Sequence, residues 1–175
     1  YAYMAREDYQ FDPDRLIRYV LAYQRVQPLT LSEVWALPVM LRLVLLEVLT
    51  MGAAHMTQTP ASDGTLGLLA PRFQLIAASA EGGASLEDTV ASAIPSLRQL
   101  DVYDWLQFSE EISVVHRQLE EDPAGVYPYM DFDTRNRYRS QIEELASGSA
   151  ATEWDVTHAA VALAAAAADL RAAEQ

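Results

Sequence analysis

The most regular feature of this chain is a helical repeat of apolar side chains. A first stripe follows Asp12-Pro13-Asp14 and comprises Leu16, Ile17, Val20 and Leu21. The clearest stripe repeats at spacings of three, four, three and four, and it comprises Trp105, Phe108, Ile112, Val115 and Leu119. Such spacing is typical of one face of an α-helix, and no segment shows the alternation of a strand. The pattern predicts an all-α fold.

Capping residues and prolines set the limits of the predicted helices. Helices are expected over residues 13–26, 31–49, 72–80, from 85 to or through Pro95, 105–121, from 131 or 133 to 147, and from 152 onward. Four of these starts carry a cap or capping-box pattern, at Thr30, Ser85, Asp131 and Thr152. Residues 126–130 are expected to cross as an extended connection. This gives about six or seven helices in an orthogonal or irregular bundle.

The second predicted helix has an unusual composition. Pro38 lies in its interior and is expected to kink it, because proline removes one backbone hydrogen bond. Apolar residues beyond the proline surround almost the whole circumference. A helix of this kind is predicted to be central and buried.

The apolar repeat is interrupted in the first half of the chain. Between residues 48 and 98, small residues, glycine and proline predict a loop-rich insert around the short helix over 72–80.

Near the C-terminus, the uncharged run over 156–168 is shorter than the ~20 residues that a membrane span needs, so no transmembrane helix is expected. The chain begins without Met and shows no signal-peptide pattern. We expect a fragment of a larger protein.

Composition narrows the classes of protein to which this chain could belong. A length of 175 residues predicts one helical domain over 1–175. The net charge is −13, all basic residues are arginine, and residues 101–175 hold 15 acidic residues against 5 arginines. This charge disfavours a nucleic-acid partner or an anionic membrane surface, which need positive patches. The absence of cysteine excludes disulfides and thiol nucleophiles.

Metal chemistry has little support in the sequence. His55, His116 and His158 are far apart and form no paired ligand motif; we expect His116 on the polar shoulder of its helix. Asp131-Phe132-Asp133 has the Asp-x-Asp spacing that many glycosyltransferases use for a divalent ion, but it stands at a helix start, where a carboxylate caps the backbone. We therefore expect no metal, no cofactor and no catalytic residue in this chain.

The arginines of the sixth predicted helix form the main basic cluster. Arg135 and Arg139 lie between Asp131 and Glu143 at spacings of four, which predicts an intrahelical ladder of ion pairs. Arg137 points elsewhere, toward solvent, a neighbouring domain or an anionic ligand. On this helix, Tyr138, Ile142 and Leu145 are expected to face inward. Aromatic residues at helical spacing are expected in the core rather than on a sugar-stacking platform, although one partly exposed tryptophan could serve either role; they include Trp35, Trp105, Phe108 and Trp154.

Three segments resemble a known family. They are residues 24–46 (QRVQPLTLSEVWALPVMLRLVLL), 104–115 (DWLQFSEEISVV) and 122–145 (DPAGVYPYMDFDTRNRYRSQIEEL). Together they resemble the soluble N-terminal helical region of bacterial cyclic β-1,2-glucan synthases, which are large multidomain enzymes of the inner membrane. The resemblance runs from about Asp12 to Ala164, and it departs between Val48 and Arg98, where the family has a longer, arginine-rich stretch.

The resemblance implies a role next to an enzyme. In such synthases this region precedes the membrane helices and the family-84 glycosyltransferase domain, which polymerises glucose from UDP-glucose with a divalent metal. None of the transferase motifs falls within these residues. The resemblance implies a non-catalytic accessory domain that lies in the cytoplasm at the inner membrane and docks against other domains of the same polypeptide.

Two alternatives remain open at the level of sequence. The chain could be a β-glucan-binding module that uses exposed aromatic residues. It could also be a free-standing interaction protein with the 48–98 insert as its new surface. The candidate contacts for a glycan or a partner are Tyr127, Tyr129, Arg137 and Trp154.

Overall fold

The fold of this protein is built from helices. The computed structural model describes residues 1–57 and 85–173, which form eight α-helices and one 3₁₀ turn and no strand. The helices are α1 (Ala2–Arg6), α2 (Pro13–Gln24), α3 (Leu31–Met56), α4 (Leu86–Val102), α5 (Trp105–Ile112), α6 (Val114–Leu119), α7 (Phe132–Ser147) and α8 (Glu153–Ala173), and the turn covers Tyr127–Tyr129. The all-α prediction is confirmed.

The helix count differs from the prediction for two local reasons. The short α1 carries no strong helical pattern and was not expected, and one predicted helix is divided into α5 and α6. The helix predicted over 72–80 lies outside the described residues. Both ends of the predicted insert are helical, since α3 continues to Met56 and α4 runs from Leu86 through Pro95.

The predicted caps are present at four helix starts. Thr30 and Glu33 exchange hydrogen bonds before α3, and Ser85 and Asp88 form a complete capping box before α4. Asp131 accepts from the Thr134 backbone N–H before α7. Thr152 and Asp155 exchange hydrogen bonds before α8, as Thr30 and Glu33 do before α3. Each cap satisfies N–H groups that the first helical turn leaves without a partner.

The contacts divide the chain into two compact units. Unit 1 comprises Tyr1–Tyr19 and Ala36–Trp105, and unit 2 comprises Val20–Trp35 and Leu106–Gln175. The prediction of one domain over 1–175 is not tested by this division and stays a prediction.

Unit 1 buries one face of α3 together with apolar side chains of the N-terminal segment and α4. Its buried apolar side chains include Met4, Phe11, Leu16, Leu41, Val44, Leu45, Val48 and Leu100. The Ser96 hydroxyl of α4 accepts from the Phe11 backbone N–H at 2.9 Å and lies 2.9 Å from the Tyr9 carbonyl oxygen. This hydroxyl holds a sharp bend in which Asp8 and Tyr9 have left-handed backbone conformations. Arg42 of α3 binds Asp101 of α4 at 3.1 Å.

The opposite face of α3 is exposed. Its apolar side chains are Val39, Met40, Leu43 and Leu46, each at least 40% exposed. The prediction of a helix buried on all sides is therefore wrong: apolar residues cover both faces, but only one face has packing partners in the described residues. We call these four residues the exposed α3 face.

Two of the described helices, α3 and α8, are long and apolar enough to cross a membrane. The core helix of a soluble protein meets the same criteria of length and composition. The expectation of no transmembrane helix stays a prediction.

Unit 2 is organised around α8, which packs on α6 and α7. Its core comprises Leu31, Val115, Leu119, Tyr127 and Ile142, with Met130, Val156 and Val161 packed against them. Tyr138 and Leu145 of α7 were expected to face inward, but both are exposed. Arg139 takes the buried position instead, because it pairs with a carboxylate of α5.

A serine divides the predicted helix over 105–121. Ser113 has an extended backbone, and its hydroxyl accepts from the His116 N–H to begin α6. The break leaves the Ile112 carbonyl without its helical donor, and the Gln24 side chain supplies one at 2.8 Å. After α6 the chain forms the 3₁₀ turn at Tyr127–Tyr129, so the expected extended connection over 126–130 is wrong.

Candidate functional site

The loop over residues 27–30, between α2 and α3, is held by a buried amide. The Gln24 side chain donates to the Ile112 carbonyl and accepts from the Leu29 N–H at 3.2 Å. Both polar atoms of the amide are thus used, as a buried side chain requires. Gln24 therefore fixes the loop against the break between α5 and α6.

The start of α3 receives a carboxylate from the far end of the chain. Glu153, the first residue of α8, accepts from the Leu31 N–H at 2.8 Å. Burial raises the pKa of Glu153, and the neighbouring carboxylates of Glu143 and Glu33 raise it further. The N–H bond acts in the opposite direction, since it stabilises the ionised form. This contact ties α8 to the beginning of α3.

These elements line a half-open cavity of about 390 Å³ within unit 2. It is lined by the 27–30 loop, Glu33, Val114, Val115 and residues 152–154. Trp154 is 41% exposed, and its indole stacks on the His158 ring at a centroid distance of 6.0 Å and an angle of 20°. Two carboxylates and an aromatic ring line this cavity, and its lining contains no arginine or histidine. We call it the Trp154 cavity.

A second polar cluster joins two of the resembling segments, residues 104–115 and 122–145. Glu110 of α5 pairs with Arg135 at 3.0 Å and with Arg139 at 3.3 Å, both from α7. Arg139 is only 3% exposed, and its guanidinium lies over the Phe132 ring at 4.8 Å. One carboxylate therefore serves two arginines, which leaves this cluster with an excess positive charge.

Arg135 and Arg139 have buried donor atoms without a hydrogen-bond acceptor. The Nε atoms of both residues and the Nη2 atom of Arg139 are buried, and no acceptor for them is found among the described residues. The predicted ladder of Asp131, Arg135, Arg139 and Glu143 is wrong. Asp131 accepts from Thr134, and Glu143 accepts from the Ser32 hydroxyl. Glu110, although distant in sequence, replaces both expected partners.

Next to this cluster, a histidine and a tyrosine share a buried contact. The His116 Nδ1 atom lies 3.1 Å from the Tyr127 hydroxyl, and its Nε2 atom lies 3.6 Å from Glu120. Burial lowers the pKa of His116, and burial raises the pKa of Tyr127 to about 12. The predicted position of His116 on a polar shoulder is wrong, because α6 turns this ring into the interior.

The four predicted contact residues have different environments. Tyr127 is 3% exposed, so its expected exposure is wrong; Tyr129, in the same turn, is 90% exposed. Arg137 is exposed on α7. Trp154 lines the cavity. The expected placement of Trp154 and Trp35 in the core is wrong, since both side chains are exposed. Tyr127 and Trp154 line different cavities of unit 2. A role of these four residues in binding a glycan or a partner stays a prediction.

The Asp-x-Asp segment forms a helix cap. Thr134 donates from its N–H and its hydroxyl to Asp131, and these bonds lower the pKa of Asp131. Within residues 1–57 and 85–173, no group of three or more histidine or acidic side chains is placed to hold a metal ion. His55 lines an apolar cavity of 280 Å³ in unit 1, beside Gly52 and Val90.

Sequence reasoning missed the residues that organise the cavity. Gln24 and Glu153 act through contacts 88 and 122 residues apart in the chain. Glu153 directly follows the capping residue Thr152, and Asp155 already completes that cap. A second carboxylate at the same helix start was therefore a signal that Glu153 binds a group elsewhere. Nothing in the local pattern of Gln24 marks it as buried.

Comparison with known proteins gives one partial similarity. The chain is 38% identical over 73 residues to the cyclic beta-(1,2)-glucan synthase NdvB of Rhizobium meliloti (strain 1021), and the match covers 42% of this chain. It spans 2% of the length of that relative. No family model and no solved structure matches.

Proposed function

We propose that this chain is a non-catalytic helical region that organises a glycosyltransferase of the cyclic β-1,2-glucan synthase type. The observation that carries the proposal is the 38% identity to such a synthase. The parent enzyme would polymerise glucose from UDP-glucose, and the chain would lie on the cytoplasmic side of the inner membrane, as the resemblance implies. Its partners would be other domains of the same polypeptide.

The polar groups of unit 2 support a structural role rather than a catalytic one. Glu153, Asp131 and Asp155 act as helix caps, and Glu110 neutralises a buried arginine. A general acid–base pair would need two titratable groups that both reach a substrate. The buried His116 and Tyr127 face each other instead. These assignments favour packing over catalysis.

The exposed α3 face supports docking. Apolar side chains that stay exposed in one stripe are typical of interaction surfaces. Val39, Leu43 and Leu46 repeat at spacings of four and three, so they lie on one side of α3. A protein of the relative's size contains far more polypeptide than this chain. We propose that an apolar surface of a neighbouring synthase domain covers this stripe.

Site-specific photocrosslinking in the native cell tests this function. A photoreactive residue at Leu43 is expected to crosslink to a polypeptide segment that carries a glycosyltransferase domain. The same group at the exposed Glu144, in unit 2, serves as the control and is expected to give no such product. Crosslinks from Leu43 to lipid alone, or to none of the synthase, would contradict the proposal.

An assay addresses the non-catalytic part directly. The purified chain is incubated with UDP-glucose, manganese and β-1,2-glucan, and the products are followed by mass spectrometry. We expect both carbohydrates to remain unchanged. Turnover of either one would show that the chain is an enzyme.

A further inference from the structure

We propose that the Trp154 cavity binds a neutral saccharide, a mono- or disaccharide unit of a β-glucan chain. The choice of a glucan rests on the proposed function, whereas the cavity and its chemistry are properties of unit 2 alone. The volume of 390 Å³ is at the small end of the range of ~300–1,000 Å³ that is usual for ligand pockets. That size suits a short saccharide and excludes a long, fully enclosed chain.

The charge of the cavity selects against anions. Glu33 and Glu153 line it, and Glu143 is close enough to raise the pKa of Glu153. Its lining contains no cationic side chain. A phosphate group brought beside these carboxylates would be repelled, because like charges repel at short range. The site is therefore unsuited to a nucleotide sugar and suited to an uncharged ligand.

The same carboxylates offer acceptors to hydroxyl groups. Glu33 and Glu153 each use Oε2 for a backbone N–H, at Thr30 and Leu31 respectively. A carboxylate has about four lone-pair positions, so each of these side chains can accept further hydrogen bonds. Sugar hydroxyls are donors of the kind that such acceptors bind. The polar wall of the cavity thus matches a polyhydroxylated ligand better than an apolar one.

The indole supplies the other half of a sugar site. Trp154 is partly exposed at the cavity, and its stacking on His158 restricts rotation of the ring. Pro28, Leu29 and Val115 add apolar surface beside it. A sugar ring has an apolar C–H face and a polar hydroxyl rim, and an aromatic ring next to carboxylates complements both.

The cavity is built from constrained parts. Gln24 fixes the 27–30 loop, and Glu153 links the start of α8 to the start of α3. A site whose walls are already held loses less conformational freedom when a ligand binds. This preorganisation distinguishes the Trp154 cavity from the isolated exposed side chain of Tyr129.

Calorimetric titration of the purified chain tests the inference, with a β-1,2-linked glucose disaccharide and a linear β-1,2-glucan oligosaccharide as probes. We expect saturable binding in the millimolar range. Trp154→Ala should weaken it at least about tenfold. Trp35→Ala is the matched control, since Trp35 is similarly exposed and lies outside the cavity, and it should retain binding. Circular dichroism verifies that each variant is folded.

Further probes separate a neutral saccharide from other ligands. Glu153→Gln keeps an acceptor for Leu31 and removes the charge, so saccharide affinity should change less than about threefold. UDP-glucose should bind no better than the disaccharide. A flat saccharide titration overturns the inference, and so does preferential binding of UDP-glucose or of an arginine-rich peptide. None of these outcomes affects the crosslinking result at Leu43, so the two proposals fail separately.

Discussion

At the scale of single residues, the polar interior of unit 2 depends on Glu110. This carboxylate is the partner of both Arg135 and Arg139, and Arg139 is almost completely buried. A buried ion pair contributes little compared with apolar packing, but removal of one partner leaves an uncompensated charge. Loss of Glu110 is therefore more harmful than loss of an ordinary surface acid.

Glu110→Gln should lower the free energy of unfolding by about 3 kcal/mol, because two guanidinium groups lose their only charged partner among the described residues. Urea unfolding followed by circular dichroism measures the change. The neighbouring Glu111 is exposed, and Glu111→Gln should stay within ~0.5 kcal/mol of the parent. Equal changes in the free energy of unfolding for the two substitutions would show that the ion pairs of Glu110 do not stabilise the fold more than an ordinary surface acid does.

His116 makes the stability of the fold depend on pH. Its pKa in the folded state is lowered, first by burial and then by Arg139 and Arg135, while Glu110 and Glu120 act in the opposite direction. The unfolded chain therefore takes up this proton first. The contribution of His116 to stability is complete above about pH 6.5, the ordinary pKa of histidine. It is lost as the pH falls through the lower pKa that His116 has in the folded state.

Urea unfolding at a series of pH values between neutral and 5 should show this loss. His116→Gln should reduce the slope, since glutamine does not titrate in this range. The exposed His158 is the control, and His158→Gln should leave the slope unchanged. An unaltered slope in His116→Gln would assign the pH dependence to other groups.

At the scale of elements, the ends of helices are determined by local chemistry. Asp122 accepts from the backbone N–H groups of Ala124 and Val126 at 3.1 and 3.0 Å, which lowers its pKa and shapes the turn after α6. Gly125 within that turn has a φ of +61°. Side chains with a Cβ rarely adopt this conformation.

Gly125→Ala should destabilise the protein by about 1 kcal/mol, because alanine is strained at positive φ even where space is open. Gly148 at the end of α7 provides a matched control: its φ is −86°, and an added Cβ would make ordinary contacts. Gly148→Ala should therefore change stability by less than ~0.5 kcal/mol. Thermal unfolding monitored at 222 nm compares the two variants, and a loss of similar size at both positions would contradict the assignment.

At the scale of the whole molecule, the net charge of −13 is the dominant property. Most of the excess acidic residues lie within residues 101–175. Only some of them are engaged as helix caps or in the ion pairs of Glu110. Like charges on one folded chain repel each other and oppose folding. Salt reduces this repulsion, since the Debye length falls from ~30 Å at 0.01 M to ~8 Å at 0.15 M.

The midpoint of urea unfolding should therefore rise when sodium chloride is increased from 0.01 M to 0.15 M, in line with that shorter Debye length of ~8 Å. Substitution of the exposed Glu111 and Glu144 by arginine lowers the net negative charge and should reduce the salt effect. A midpoint that falls with salt would mean that favourable ion pairs outweigh the general repulsion.

Much of the fold followed from patterns that act over a few residues. The stripe of Phe108, Ile112, Val115 and Leu119 is buried as predicted. The caps at Thr30, Ser85, Asp131 and Thr152 are all formed. These features were predictable because helix spacing and caps depend on neighbours within one turn. The division at Ser113 was missed, since serine inside a helical pattern is compatible with either a continuous helix or a new cap.

The sequence by itself determined that this protein is helical and where most of its helices begin. Only the tertiary structure decided which faces are covered and which charges meet: α3 keeps one apolar face exposed, Tyr127 and His116 turn inward, and Glu110 replaces the expected partners of the arginines. The Trp154 cavity likewise depends on Glu153 reaching Leu31 across 122 residues. The physical reason is that backbone hydrogen bonds and caps are local, whereas burial and ion pairing depend on distant segments that the chain brings together only when it folds.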